Sequence, residues 1–137
     1  MSNFEAFLNQ NKKKQKNVKV VASKDFVDES GNPVEWEIRA LKPNEAEKIR
    51  SVCNTVRGDG VVITDNAQFN RMVAAKCTVY PNLNDKELQD SYGVMGAEEL
   101  IQEMLDKDGE YQAYVGKILE LSGYKTKMSD LVKEAKN

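Results

Sequence analysis

The side chains that could do chemistry in this sequence are carboxylates, lysines and two cysteines, because its 137 residues include no histidine. Every mechanism that needs an imidazole base is therefore excluded. Paired carboxylates such as Glu98 and Glu99 are typical of a solvated helix face, and no feature of the sequence marks a pair as catalytic. Phosphate-binding glycine loops and nucleophile elbows do not occur either. We therefore expect a protein that is not an enzyme.

The two cysteines, Cys53 and Cys77, each lie on the apolar face of a predicted helix. We expect both to be buried free thiols, since unpaired cysteine behaves as a small hydrophobic residue. A zinc site would need further soft ligands, which the sequence lacks. The segment Asp106–Gly109 fails as a calcium loop, because Met104 and Val115 would occupy its first and last ligand positions. We expect no metal and no cofactor.

Charge is distributed unevenly along the chain, although the formal net charge is only −2. The stretch Lys12–Lys24 holds six lysines and no acid, whereas residues 85–110 hold nine acids and two lysines. The basic stretch could contact nucleic acid, but no arginine or aromatic residue stands between its lysines. These features favour a protein partner over nucleic acid. The opposite charges also allow self-association between copies.

Apolar stretches are too short for a membrane segment. The longest unbroken apolar run is Met72–Ala75, whereas a helix that crosses a bilayer needs about 20 apolar residues. The start, Met1–Leu8, lacks the basic and apolar regions of a signal peptide. With 40% hydrophobic and 31% charged residues, the composition is typical of a soluble globular protein.

Three parts can be distinguished along the chain. They are an N-terminal arm (residues 1–17), a body (residues 18–123, with a hairpin over 18–40 and helices over 43–123) and a polar tail (residues 124–137). The arm begins with Phe4, Phe7 and Leu8 at the spacing of a short amphipathic helix, and a lysine-rich linker follows. In the tail, Ser129 and Asp130 can start a final turn.

The body begins with two predicted strands. Residues 18–28 are rich in β-branched side chains, and the turn-forming cluster Glu29–Pro33 follows. Residues 34–40 alternate between apolar and charged side chains, which indicates a strand with one face in water. Trp36 is the largest apolar side chain of this segment, so we expect it to anchor the hairpin in the core.

The rest of the body has helical periodicity, so the predicted fold class is α+β, an N-terminal β-hairpin packed on a bundle of about five helices. Asn44 and Glu47 have the spacing of a capping box at the start of the first helix. The apolar stripe of this helix consists of Ala46, Ile49, Val52, Cys53 and Val56. Thr64 or Asp65 is expected to cap the second helix.

Several segments together resemble the XkdN-like tail assembly chaperones of bacteriophages and prophages of Gram-positive bacteria. The segments are Phe4–Leu8, Ser23–Phe26, Gly31–Arg39, Tyr80–Leu83, Glu87–Val94, Gly109–Tyr111 and Glu134–Asn137. Their order and spacing, rather than any single one, carry the resemblance, which extends over essentially the whole chain. One departure is Asp108, where such proteins tend to have proline before Gly-Glu-Tyr.

The resemblance implies a protein that binds the tape measure protein while a phage tail is built. Such chaperones keep the apolar surface of the tape measure soluble and help tail tube subunits to assemble around it. The expected location is the cytoplasm of the bacterial host, and the protein is not expected in the finished virion. We expect Phe4, Phe7 and Leu8 on the arm, and Tyr111 and Tyr114 on the last long helix, to contact the partner. The alternative for the arm is that its apolar residues fold back onto its own domain.

Two other functions remain open at this point. One is a minor tail protein that stays in the virion, because it would have a similar composition. The other is a small nucleic-acid-binding regulator that acts through Lys12–Lys24.

Overall fold

The computed structural model of the protein describes residues 2–124. Within this range lie five α-helices: α1 (Pro43–Cys53), α2 (Asn66–Cys77), α3 (Lys86–Ser91), α4 (Ala97–Met104) and α5 (Asp108–Leu121). The same range contains five short strands: β1 (Val18–Val20), β2 (Trp36–Ile38), β3 (Asn54–Val56), β4 (Val62–Thr64) and β5 (Thr78–Tyr80). The mixture of helices and strands confirms the predicted α+β class.

The main sheet is antiparallel and has the strand order β1-β2-β5. The predicted pairing of the first two strands is confirmed, with Val18 opposite Ile38 and Val20 opposite Trp36. The alternation in β2 is also confirmed, because Trp36 and Ile38 are buried while Glu37 between them is partly exposed. Strand β5 was not predicted. It places the residue Thr78 opposite Ile38.

The first strand is much shorter than the predicted 18–28, because the chain leaves the sheet to contact α5. Ser23 is buried, and its hydroxyl donates to Glu110 Oε1 at 3.0 Å. The neighbouring Asp25 pairs with Lys107 at 2.9 Å. These contacts with the start of α5 hold residues 21–25 away from β2. The chain turns back farther on, where Val27 and Pro33 form an isolated bridge.

The segment after α1 is a second hairpin rather than a continuation of the helix. Helix α1 ends at Cys53, and β3 and β4 pair with Val56 opposite Val62. Val56, which the predicted stripe placed on the buried face, is 68% exposed. A turn at Gly60, which has a φ of 85°, connects the strands. The pairing of β3 with β4 on either side of Gly58-Asp59-Gly60 therefore determines the structure of this segment, although its apolar residues have helical spacing.

The predicted cap of α1 is wrong by two residues. The helix begins at Pro43, and the backbone N–H of Lys42 donates to the carboxylate of Glu45 at 3.1 Å. Proline is favoured at the first helical position because its fixed φ suits the helix and its missing N–H is not needed there. For α2 the prediction holds, since Asp65 accepts a hydrogen bond from Gln68 N at 3.0 Å.

Helix α2 is the centre of the helical layer and packs against α1, α4 and α5. Its inward residues Val73, Ala74 and Cys77 are fully buried. As predicted, Cys53 and Cys77 are buried free thiols, and Trp36 lies in the core, where its ring contacts Phe26 and Tyr114. The turn predicted at Ser129 lies outside the described residues. Between residues 2 and 124, no helix has the length and hydrophobicity needed to cross a membrane.

Candidate protein-binding site

A groove of about 720 Å³ lies between α1, α2 and the start of α4. Its apolar lining comes from all three helices: Ile49, Val52, Met72, Ala75 and Ala97. Charged side chains of both signs border it: Glu45, Lys48, Lys76 and Glu98. Such a surface suits an amphipathic helix, whose apolar residues enter a groove while its charged residues pair with the rim.

Helices α1 and α2 pack closely against each other, and the small side chains at the edge of this contact leave the groove open. Their buried faces meet around Cys53, whose sulfur lies 3.9 Å from the sulfur of Met72. Ala75 and Ala97 then line the opening without filling it. Val52, which the sequence placed on the buried stripe of α1, is instead 57% exposed. The groove therefore offers apolar surface that the fold itself leaves uncovered.

The acid on one side of the groove is held firmly in place. Arg39 binds Glu45 through two hydrogen bonds of 2.8 Å each. This pairing lowers the pKa of Glu45 to about 2. Lys76 lies 4.0 Å from the same carboxylate. By contrast, Lys48 belongs to no ion pair among residues 2–124, so its ammonium group is available to an acidic residue of a partner.

The arm presents aromatic side chains to water. Phe4 is 72% exposed and Phe7 is 83% exposed, whereas Leu8 is half-buried. Two 3₁₀ turns, Glu5–Phe7 and Asn9–Asn11, stand where a short amphipathic helix was predicted. The arm thus carries a pair of exposed rings beside its lysines.

The β3–β4 hairpin has an exposed apolar surface, and the sequence predicted only the break at Gly58-Asp59-Gly60 and a short extended run at Val61–Ile63, not the strand pairing. Val56, Val62 and Ile63 are all about half exposed or more. The signal was present, because the β-branched run Val61–Ile63 follows a glycine-rich turn, which is typical of a hairpin.

The two tyrosines expected to contact the partner lie inside the protein. Tyr111 is 8% exposed and Tyr114 is 1% exposed. Desolvation raises the pKa of Tyr114, and its hydroxyl is bonded to Thr78 at 2.6 Å. The burial removes the reason for choosing these residues, since tyrosine suits an interface only where its ring reaches the surface. A tyrosine stripe on a helix marks the core here.

Between residues 2 and 124, no group of three Cys, Asp or Glu side chains could hold a metal ion. The described residues instead form apolar surfaces that are bordered by charged side chains. These are the kind of surfaces that bind other proteins.

Comparison with known families decides which class of protein this is. Residues 4–136 match the model of the phage XkdN-like tail assembly chaperone proteins. The chain belongs to this family. One relative, the phage-like element PBSX protein XkdN from Bacillus subtilis strain 168, is 32% identical over 124 residues, which are 88% of this chain and 84% of the relative. The partners of a tail assembly chaperone are phage tail proteins.

A second relative from the same strain has a crystal structure. The uncharacterized protein YqbN is 35% identical over 124 residues, which cover 88% of this chain and 83% of YqbN. A crystal structure of YqbN superposes with a TM-score of 0.76 and 26% identity over 90% of this chain and 98% of the other. The fold described above is therefore shared by this relative.

Proposed function

We propose that this chaperone binds apolar helical segments of the phage tape measure protein in the groove between α1, α2 and α4. The observation that carries the proposal is the groove itself, with five apolar side chains on its walls and charges of both signs on its rim. A tape measure helix would place apolar residues spaced i, i+3 and i+4 against Val52 and Met72. An acidic residue beside that stripe would reach Lys48.

The proposed role is not enzymatic. The chaperone covers the apolar face of the tape measure in the host cytoplasm, where that face would otherwise aggregate. Tail tube subunits then displace it as they assemble around the tape measure, so the chaperone is absent from the finished virion.

The test is co-expression of the chain with the tape measure protein of the same phage element, followed by size-exclusion chromatography. We expect the tape measure to be soluble and to co-elute with the chain. Val52→Lys adds a charge to the groove but suits the last turn of α1, where the helix dipole favours a cation. Ala75→Leu fills the groove without adding charge. Both variants should lose the complex.

The matched control is Val27→Lys. Val27 is 52% exposed, close to the 57% of Val52, but lies in the β1–β2 connection outside the groove. This variant should still co-elute with the tape measure. Equal binding by the groove variants would show that the groove is not the site. A tape measure that stays insoluble beside the wild-type chain, or the chain found in purified particles by mass spectrometry, would contradict the function.

A further inference from the structure

We propose that the arm of one copy docks into an acidic cleft of a second copy, so that the protein associates head to tail. The cleft has a volume of about 430 Å³ and lies where β5 runs into α3. The inference does not depend on the tape measure, because it concerns the chaperone alone.

The cleft combines an apolar floor with unpaired acids. Tyr80, Pro81 and Leu88 form the floor, and Tyr80 is 56% exposed. Asp85 and Glu87 stand at the rim. Within the described part of the chain, neither acid takes part in an ion pair. The cleft therefore suits a ligand that has aromatic rings close to several positive charges.

The arm has that chemistry. Phe4 and Phe7 are 72% and 83% exposed, and the lysines of the stretch Lys12–Lys16 follow after residues 8–11. None of these lysines belongs to an ion pair between residues 2 and 124. Rings that stack on Tyr80 would gain aromatic attraction beyond the area they bury, while lysines would pair with the rim acids.

The arm and the cleft adjoin opposite edges of the main sheet. The arm leads into β1, one edge strand of the β1-β2-β5 sheet, whereas the cleft begins at the end of β5, the other edge strand. An arm and a cleft on opposite edges make a heterologous contact, in which each copy offers a free cleft or a free arm to the next. Copies can therefore add one after another.

Two variants test the proposal on the purified chain. The arm variant is Lys13→Glu with Lys14→Glu and Lys16→Glu. The cleft variant is Glu87→Lys with Asp85→Asn, because asparagine keeps the cap that Asp85 provides to α3. Sedimentation velocity in 50 mM salt should show wild-type oligomers that grow with concentration, whereas each variant alone should associate at least about tenfold more weakly. Raising the salt to 0.5 M should dissociate the wild-type oligomers, because salt screens the ionic contacts.

Mixing the two variants is the decisive step. The cleft variant keeps an intact arm and the arm variant keeps an intact cleft, so an equimolar mixture should form a dimer that grows no further. Glu103→Lys, which reverses an exposed acid of α4 outside the cleft, should behave as wild type.

Three results would overturn the inference. The first is a monomeric wild-type chain at all concentrations in 50 mM salt, which would also be the outcome if the arm bound the cleft of its own copy. The second is unchanged association of both variants, which would place the contact elsewhere. The third is a mixture that stays monomeric. None of them bears on tape measure binding, which is measured separately by co-elution.

Discussion

Tyr114 and Thr78 join the last helix to the last strand of the sheet through a hydrogen bond of 2.6 Å. Thr78 has one hydroxyl proton, and it donates this proton to Ala74 O at 2.7 Å. Tyr114 must therefore be the donor to Thr78. The resulting chain of hydrogen bonds connects α5, β5 and α2 at the centre of the protein, beside the ring of Trp36.

Removing the Tyr114 hydroxyl should destabilise the protein. Tyr114→Phe leaves the ring but takes a donor from a buried network, so we expect the free energy of unfolding to fall by about 1 kcal/mol. Tyr111→Phe is the matched control, because the Tyr111 hydroxyl is buried without a hydrogen-bond partner in the described part of the chain. Because an unpaired buried hydroxyl costs free energy, that change should leave stability unchanged or raise it. Urea titration measures both, and equal losses would contradict the assignment.

Stability should depend on pH through Glu45. Pairing with Arg39 lowers the pKa of Glu45 from 4.5 to about 2, so the folded state favours the charged form. The resulting stabilisation, at most about 3 kcal/mol, is fully present above pH 4.5 and is lost as the pH falls towards 2. Glu45→Gln should lower stability at pH 7 and flatten its decline between these pH values. An unchanged decline in thermal denaturation curves would show that other carboxyls cause it.

The two thiols should react slowly in the folded protein. Cys77 is 0% exposed, and burial raises its pKa to about 11. At pH 8 roughly one such thiol in a thousand is ionised, and only the thiolate attacks a disulfide reagent. Reaction with such a reagent should therefore be at least about a hundredfold slower in buffer than in urea. Rapid native labelling of Cys77 would mean that α2 opens readily.

The β3–β4 hairpin should be the least protected part of the body in hydrogen exchange. Its side chains contribute little to the core, since Val56, Val62 and Ile63 are exposed. Gly60→Ala, which places a side chain at a φ of 85°, should cost about 1 kcal/mol and speed exchange in residues 54–64. Exchange in α2 should be unchanged at the same time. Slow exchange throughout the hairpin would indicate that an unrecognised contact covers it.

Local signals in the sequence were sufficient for a large part of the fold. The strict alternation of apolar and charged residues around Trp36 predicted β2. The large apolar surface of Trp36 predicted that its side chain lies in the core. The cap of α2 followed from Asp65, whose short side chain can reach the free N–H groups of the first turn. In each case the information lay within a few residues, so no knowledge of the rest of the chain was needed.

The elements that sequence reasoning missed depend on distant partners. Thr78–Tyr80 is a strand because it pairs with β2, some 40 residues earlier in the chain. Likewise, the spacing of Tyr111 and Tyr114 fits a core as well as an interface, and only the packing of α5 on the sheet decides between them. The groove was also out of reach, because its walls come from three separate helices.

The β3–β4 hairpin begins and ends at one place, between α1 and α2, where Asp65 N donates to Cys53 O at 2.9 Å. Its tip at Gly58–Gly60 is thus a place where the chain can be lengthened without moving either helix. A peptide epitope or a fluorescent label inserted there should leave the groove and the cleft intact. The inserted epitope or label would then report where the chaperone is in an infected cell while it binds and releases its partners.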